Sequence, residues 1–315
     1  MKIKIMDGHC DALTKLYMNP KLQFGIEEQE LDVSYPRLKQ AGVKVQCFAI
    51  YLSDSIQQPT FDHILQMVDV FHRQVVQHPG MHFIQSEADW RIVEAGDLIG
   101  AILTLEGVDA LAGNMTHLRI LQHLGVRSIG LTWNYANWAA DGVMEPRKGG
   151  FTRKGKLMLK ELETMGIIVD VSHLSTAAFW ELVEIYSKPF IASHSNAQKV
   201  CPHPRNLSDD QIKAIIQCKG NIGITFVPYF VDSAIMTVPI SALLKHIDYV
   251  CALGGEQHIG FGSDFDGIEQ WIKGLRHAGQ YGNIIEALCK NYRESQVEAF
   301  LYGNWRNFML QNLPK

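Results

Sequence analysis

The chain has 315 residues, 47% hydrophobic and 20% charged, with a formal net charge of -4 when histidine is neutral. That balance describes a soluble chain with a large core, and it carries no basic field for nucleic acid or an anionic membrane surface. No apolar run is long enough to span a bilayer. The first nine residues, Met1 to His9, hold no signal-peptide apolar core and enter a strand pattern at once, so a cytoplasmic location is expected. The six cysteines (10, 47, 201, 218, 251 and 289) are dispersed and lack CxxC spacing, which reads as reduced, mostly buried thiols.

Short apolar runs recur along the chain. The first is Ile3 to Met6, closed by Asp7-Gly8-His9-Cys10-Asp11. The second is Val43 to Tyr51. The third, Ile99 to Leu105, ends in Glu106-Gly107, and the fourth, Val126 to Thr132, in Trp133-Asn134. The fifth, Ile167 to Val171, ends in Ser172-His173, and the sixth, Phe190 to Ala192, in Ser193-His194-Ser195. The seventh is Asn221 to Val227. The eighth, His258 to Gly262, ends in Ser263-Asp264-Phe265-Asp266-Gly267. Continuous apolar runs of this kind suit parallel strands covered on both faces.

Helical spacing fills the gaps: Phe61 to His78, Met115 to Leu124, Thr152 to Met165 with Gly166 as a stop, Ser175 to Tyr186, a segment capped by Ser208 that runs to Cys218, and Ile240 to Leu253. Gly149-Gly150 and Gly254-Gly255 read as loops. Eight strand-helix alternations predict one (β/α)8 TIM barrel over residues 1–315.

His9, Asp11, Glu106, His173, His194 and Asp264 all stand at or just past a strand's C-terminal end. In such a barrel that end carries the active site. A His and an Asp two residues apart on an extended chain share a face. Three imidazoles with two or three carboxylates suit Zn²⁺ or a similar divalent ion. The set exceeds what one catalytic zinc needs, so a two-metal site is expected, with Glu106 as the bridging candidate. A carboxylated-lysine bridge is disfavoured because the third and fourth runs contain no lysine. Asp7 reads as a buried hydrogen-bond partner, Cys10 as packed, and Asp266 as a cap for the segment after it. His246 and His258 read as surface or capping histidines, and His203 as loop polarity.

These residues carry a resemblance. His9-Cys10-Asp11, Thr104-Leu105-Glu106-Gly107, Asp170-Val171-Ser172-His173, Ser193-His194-Ser195, Pro204-Arg205-Asn206 and Gly262-Ser263-Asp264-Phe265-Asp266-Gly267 together resemble the membrane dipeptidase (renal dipeptidase) family of zinc peptidases. The resemblance runs from the first strand to the eighth. It implies an amidohydrolase-type barrel with two zinc ions that hydrolyses dipeptides, including those with a C-terminal D-residue, through a metal-bridging hydroxide.

By that resemblance His9 and Asp11 would hold one zinc, His173 and His194 the other, and Glu106 both. Arg205 would pair with the substrate's terminal carboxylate, and Asn206 would brace its loop. Asp264 would receive the α-ammonium or pass a proton to the leaving amine. Trp133 stands where the animal enzymes carry an oxyanion-stabilising histidine, which directs attention to Asn134 and to the substrate-binding wall that both would form. An amidohydrolase acting on N-acyl-amino acids, β-lactams or lactones is the alternative. A homodimer is the expected assembly.

Overall fold

The computed structural model describes residues 3–53 and 55–315. Among the described residues nine strands form one all-parallel sheet: β1 (Ile5–Asp7), β2 (Val43–Tyr51), β3 (Met81–Phe83), β4 (Ile99–Glu106), β5 (Val126–Gly130), β6 (Ile168–Asp170), β7 (Ile191–Ala192), β8 (Asn221–Ile224) and β9 (Ile259–Phe261). Eight of them close a barrel in the order β1, β2, β4, β5, β6, β7, β8, β9 and back to β1. The architecture is a (β/α)8 TIM barrel.

The ninth strand, β3, is absent from the sequence reading. It is three residues long with a histidine at its centre, so no apolar run announces it. It pairs with Ile99–Ala101 at the start of β4, on the edge that β5 occupies from Leu103 onward. The predicted helices are found at Phe61–Val70, Met115–His123, Arg153–Met165, Thr176–Ile185, Asp209–Gln217 and Ile240–Ala252. Their caps explain their bounds. Thr152, Ser175 and Ser208 each accept from a backbone N–H at the third helical position, and Gly166 ends its helix at φ 67°. The Phe61 helix continues as a π-helical turn over Phe71–Val76.

The helices after β9, Tyr281–Asn291 and Asn304–Asn312, were not foreseen. The second lies under the start of β9, where Asn304 Nδ2 donates to the carbonyls of Glu256 and Ile259. From it Trp305 rises into the barrel and donates from Nε1 to Phe261 O at 3.0 Å. It joins a buried cluster with Met6, Val45, Cys47, Ile102, Ile168 and Ile191. The indole fits because Gly8 and Gly260 have no side chain: a Cβ on Gly260 would lie 2.1 Å from Trp305 Nε1. Gly260→Ala is therefore expected to destabilise the fold by about 1–3 kcal/mol through overpacking. The urea midpoint measures it; an unchanged midpoint contradicts this packing.

Candidate metal centre

The barrel mouth gathers the ends of β1, β4, β6, β7 and β9. His9 Nε2 lies 3.5 Å from Asp11 Oδ2, 3.4 Å from Glu106 Oε2 and 3.7 Å from Asp264 Oδ1. On the other side, His173 Nε2 and His194 Nε2 stand 2.8 Å apart and lie 2.8 and 3.5 Å from Glu106 Oε1. Glu106 thus turns one oxygen to each group. Every predicted metal-ligating side chain reaches this cluster, and His9, Asp11, His173 and His194 are all under a tenth exposed.

The route to that convergence differs from the sequence argument in one respect. His9 and Asp11 do not share a face by strand alternation, because β1 ends at Asp7. Asp11 is already the N-cap of the helix Ala12–Met18, at φ -105° and ψ 23°. A turn brings the two side chains together. Asp7 stays behind, accepting from His9 N, Ser263 N, Ser263 Oγ and Tyr281 OH.

Hydrogen bonds to Nδ1 fix the imidazole tautomers. Ser193 Oγ donates to an Asp170 oxygen, so it can only accept from His194 Nδ1, at 2.7 Å. That places the His194 proton on Nδ1 and leaves Nε2 as a lone pair. Asn134 Oδ1 lies 2.8 Å from His173 Nδ1 and sets the same tautomer there. Asn134 thereby backs a histidine rather than lining the pocket. Burial pushes both rings down: His173 falls to about 4, with Arg205 adding to the effect, and His194 lies well below the usual histidine range.

Two neutral imidazoles therefore face each other lone pair to lone pair at hydrogen-bond distance. Nearby, His9 Nε2 and Asp11 Oδ1 are buried with no hydrogen-bond partner. His9 with Glu106 and His194, and His9 with Asp11 and Asp264, form two groups whose ligand atoms lie within 4.8 Å of one another. Buried imidazole nitrogens and carboxylate oxygens without partners are a cation's donor set, and this one fits divalent metal.

Asp170 and Ser193 belonged to the quoted motifs, but no role was read for them. The available signal was an aspartate at the last position of both β1 and β6, each accepting an N–H two residues on and a serine from the adjacent strand's end. Ser193→Ala is expected to weaken metal binding by about 10–100-fold, because the hydroxyl that orients His194 is lost. Competition with a chelating indicator measures this. Wild-type affinity contradicts the relay.

Backbone strain marks the same place. His173 and Asp264 are non-glycine residues at φ 68° and 65°. Gly267 leaves room for the cluster, since a Cβ there would fall 2.2 Å from Asp11 Oδ2. Burial drives the Asp264 carboxyl up to about 8, opposed by His9 and reinforced by Asp11 and Glu106. Asp266 does not cap its own segment. Its oxygens accept from Asp32 N and Val33 N and pair with Lys15 at 3.0 Å, pinning the 26–33 loop beside the mouth.

Arg205 sits on the loop after β7. It is 5% exposed, with its guanidinium 5.4 Å over the Phe230 ring. Nη2 donates to His194 O at 3.3 Å, and the buried Nε has no partner. Asn206 Nδ2 donates to Cys201 O and Phe230 O, both at 2.8 Å, and so ties this loop to the next. His203 is more than loop polarity, because its Nδ1 accepts from Arg205 N. His246 is fully buried, not a surface residue; Nδ1 accepts from Ala197 N and Nε2 donates to Val231 O, which joins the same two loops.

Residues 1–311 match the profile described as Membrane dipeptidase (Peptidase family M19). The chain belongs to the M19 membrane dipeptidase family. Members of that family are hydrolases acting on dipeptides, and metal dependence is a family trait. Among curated relatives, Dipeptidase aclJ of Aspergillus oryzae is 29% identical over 306 residues, covering 91% of this chain and 72% of that one. An uncharacterized protein in the pqqA 5' region of Klebsiella pneumoniae is 30% identical over 264 residues, covering 80% and 96%. The solved structure of dipeptidase AC, an M19 metallopeptidase, superposes with a TM-score of 0.91 at 25% identity, covering 99% of both chains. No helix among the described residues is long and apolar enough to cross a membrane.

Proposed function

We propose that this chain is a dipeptidase with a two-cation site, and that zinc is the cation its imidazole and carboxylate donors suit best. The observation that carries the reading is the pair of imidazole nitrogens held lone pair to lone pair 2.8 Å apart against Glu106. His9, Asp11 and Glu106 would hold one cation, and His173, His194 and Glu106 the other. When bound, the cations supply an activated water and a Lewis acid at the scissile carbonyl.

The remaining steps belong to side chains. Arg205 receives the C-terminal carboxylate on a buried planar fork, which favours dipeptides over longer peptides. Tolerance of a D-residue at that position is part of the same reading. Asp264, 3.7 Å from His9 Nε2, is placed to receive the substrate's α-ammonium or to pass a proton to the departing amine. Trp133 offers one indole N–H and no charge, so it does not replace a charged oxyanion partner. A cytoplasmic setting suits Cys289, which is exposed and unpaired.

The test is a hydrolysis screen of L-L and L-D dipeptides beside N-acyl-amino acids, β-lactams and lactones, each with and without chelator. Chelator-sensitive cleavage of dipeptides is the expected result. Cleavage of the acyl substrates alone overturns the assignment in favour of a different amidohydrolase.

A further inference from the structure

Beside Glu106 lies a cavity of about 300 Å³. Its walls include Tyr51 and Leu52 at the end of β2, Ile56 and Gln57 in the loop after it, Asp109 after β4, and Trp133 and Tyr135 after β5. Trp133 joins the two sites, its ring 6.0 Å from the His173 ring, 5.4 Å from that of Tyr51 and 6.3 Å from that of Tyr135. Tyr135 is 55% exposed, and Tyr51 and Trp133 are half-buried. Aromatic side chains around a concave site of this size are the usual lining of a small-molecule pocket.

Strand order decides which part of a substrate meets it. The cavity spans β2, β4 and β5, whereas Arg205 follows β7, across the mouth. On the dipeptidase reading, on which this inference rests, the substrate carboxylate sits at Arg205 and the scissile carbonyl at the Glu106 cluster. The N-terminal residue then continues toward β2, β4 and β5. Asp109 at the rim is engaged by Asn137 Nδ2 at 3.1 Å, so the acid there is already turned to a protein partner.

We infer that this cavity is the side-chain site for the substrate's N-terminal residue, and that it takes a large apolar or aromatic side chain. The test is kcat/KM for a series X-Ala, with X as Gly, Ala, Leu, Phe, Lys and Glu, against the reversed series Ala-X. Leu-Ala and Phe-Ala are expected to exceed Ala-Ala by about 10-fold or more, with no matching gain in the reversed series. Ile56→Trp fills the cavity, and the Phe-Ala to Ala-Ala ratio measured within that variant is expected to collapse toward one. Tyr135→Ala, at an exposed position, opens the opposite wall and lowers the same ratio.

Equal rates for Ala-Ala and Phe-Ala in the wild type overturn the inference alone. So does a preference for Lys-Ala, or a ratio unchanged in both variants. Hydrolysis of no dipeptide at all overturns the dipeptidase reading and this inference with it.

Discussion

Glu106→Gln is expected to lose one of the two cations and to lower kcat/KM by about 10³-fold or more. Glutamine keeps the shape of the side chain and one carbonyl oxygen, so the barrel should be undisturbed. It removes the negative charge that faces His9 Nε2 at 3.4 Å and His173 Nε2 at 2.8 Å. It also aims an amide N–H₂ into a space organised for a cation. Burial alone would push the Glu106 carboxyl up, but the neighbouring imidazoles, His9 above all, outweigh it and hold the group well below the usual carboxylate range. A carboxylate kept ionised in a buried site is a strong cation donor. Metal-supplied stabilisation is worth several kcal/mol, and each ~1.4 kcal/mol is a factor of ten in rate. Elemental analysis beside steady-state kinetics measures both effects. Full metal content with wild-type turnover contradicts the bridge.

Arg205→Ala is expected to lower kcat/KM for free dipeptides by about 100-fold while leaving metal content unchanged. The guanidinium is buried; Nη2 donates to His194 O, and Nε has no partner among the described residues, which leaves a donor for a ligand. Charge-assisted hydrogen bonds of this kind contribute about 1.5–3 kcal/mol. Arg205→Lys should recover only part, because an ammonium cannot reproduce the bidentate fork. C-terminally amidated dipeptides serve as the control. They lack the carboxylate, so the wild type should handle them poorly and the alanine variant should lose little more. An equal loss on both classes contradicts carboxylate recognition.

Much of this site was legible because a parallel barrel turns sequence position into spatial position. An apolar run followed by a histidine or carboxylate, as at Leu105-Glu106 or Ala192-Ser193-His194, places that group at the mouth. What stayed hidden lacked a periodic signal. β3 is too short and polar to read as a strand, and it exists only because β4 has a free lower edge. The role of Ser193 depends on Asp170 from the adjacent strand, and Asn134 meets His173 across 39 residues. Such pairings are set by tertiary contact, not by spacing. His246 shows the limit of treating a lone histidine as surface polarity, since both ring nitrogens are satisfied inside the loop layer. The turn that brings His9 to Asp11 arises because β1 leaves the sheet after three residues, a length that the apolar pattern did not fix.

On the proposed function, His9, Asp11, Glu106, His173 and His194 hold two divalent ions and hydrolysis depends on both. Titrating chelated protein with Zn²⁺, while following bound metal and dipeptide cleavage in the same samples, tests it most directly. Activity should be absent in the metal-free protein and should reach its plateau at two bound equivalents per chain. Full cleavage with no bound metal, or a plateau at one equivalent, would contradict it.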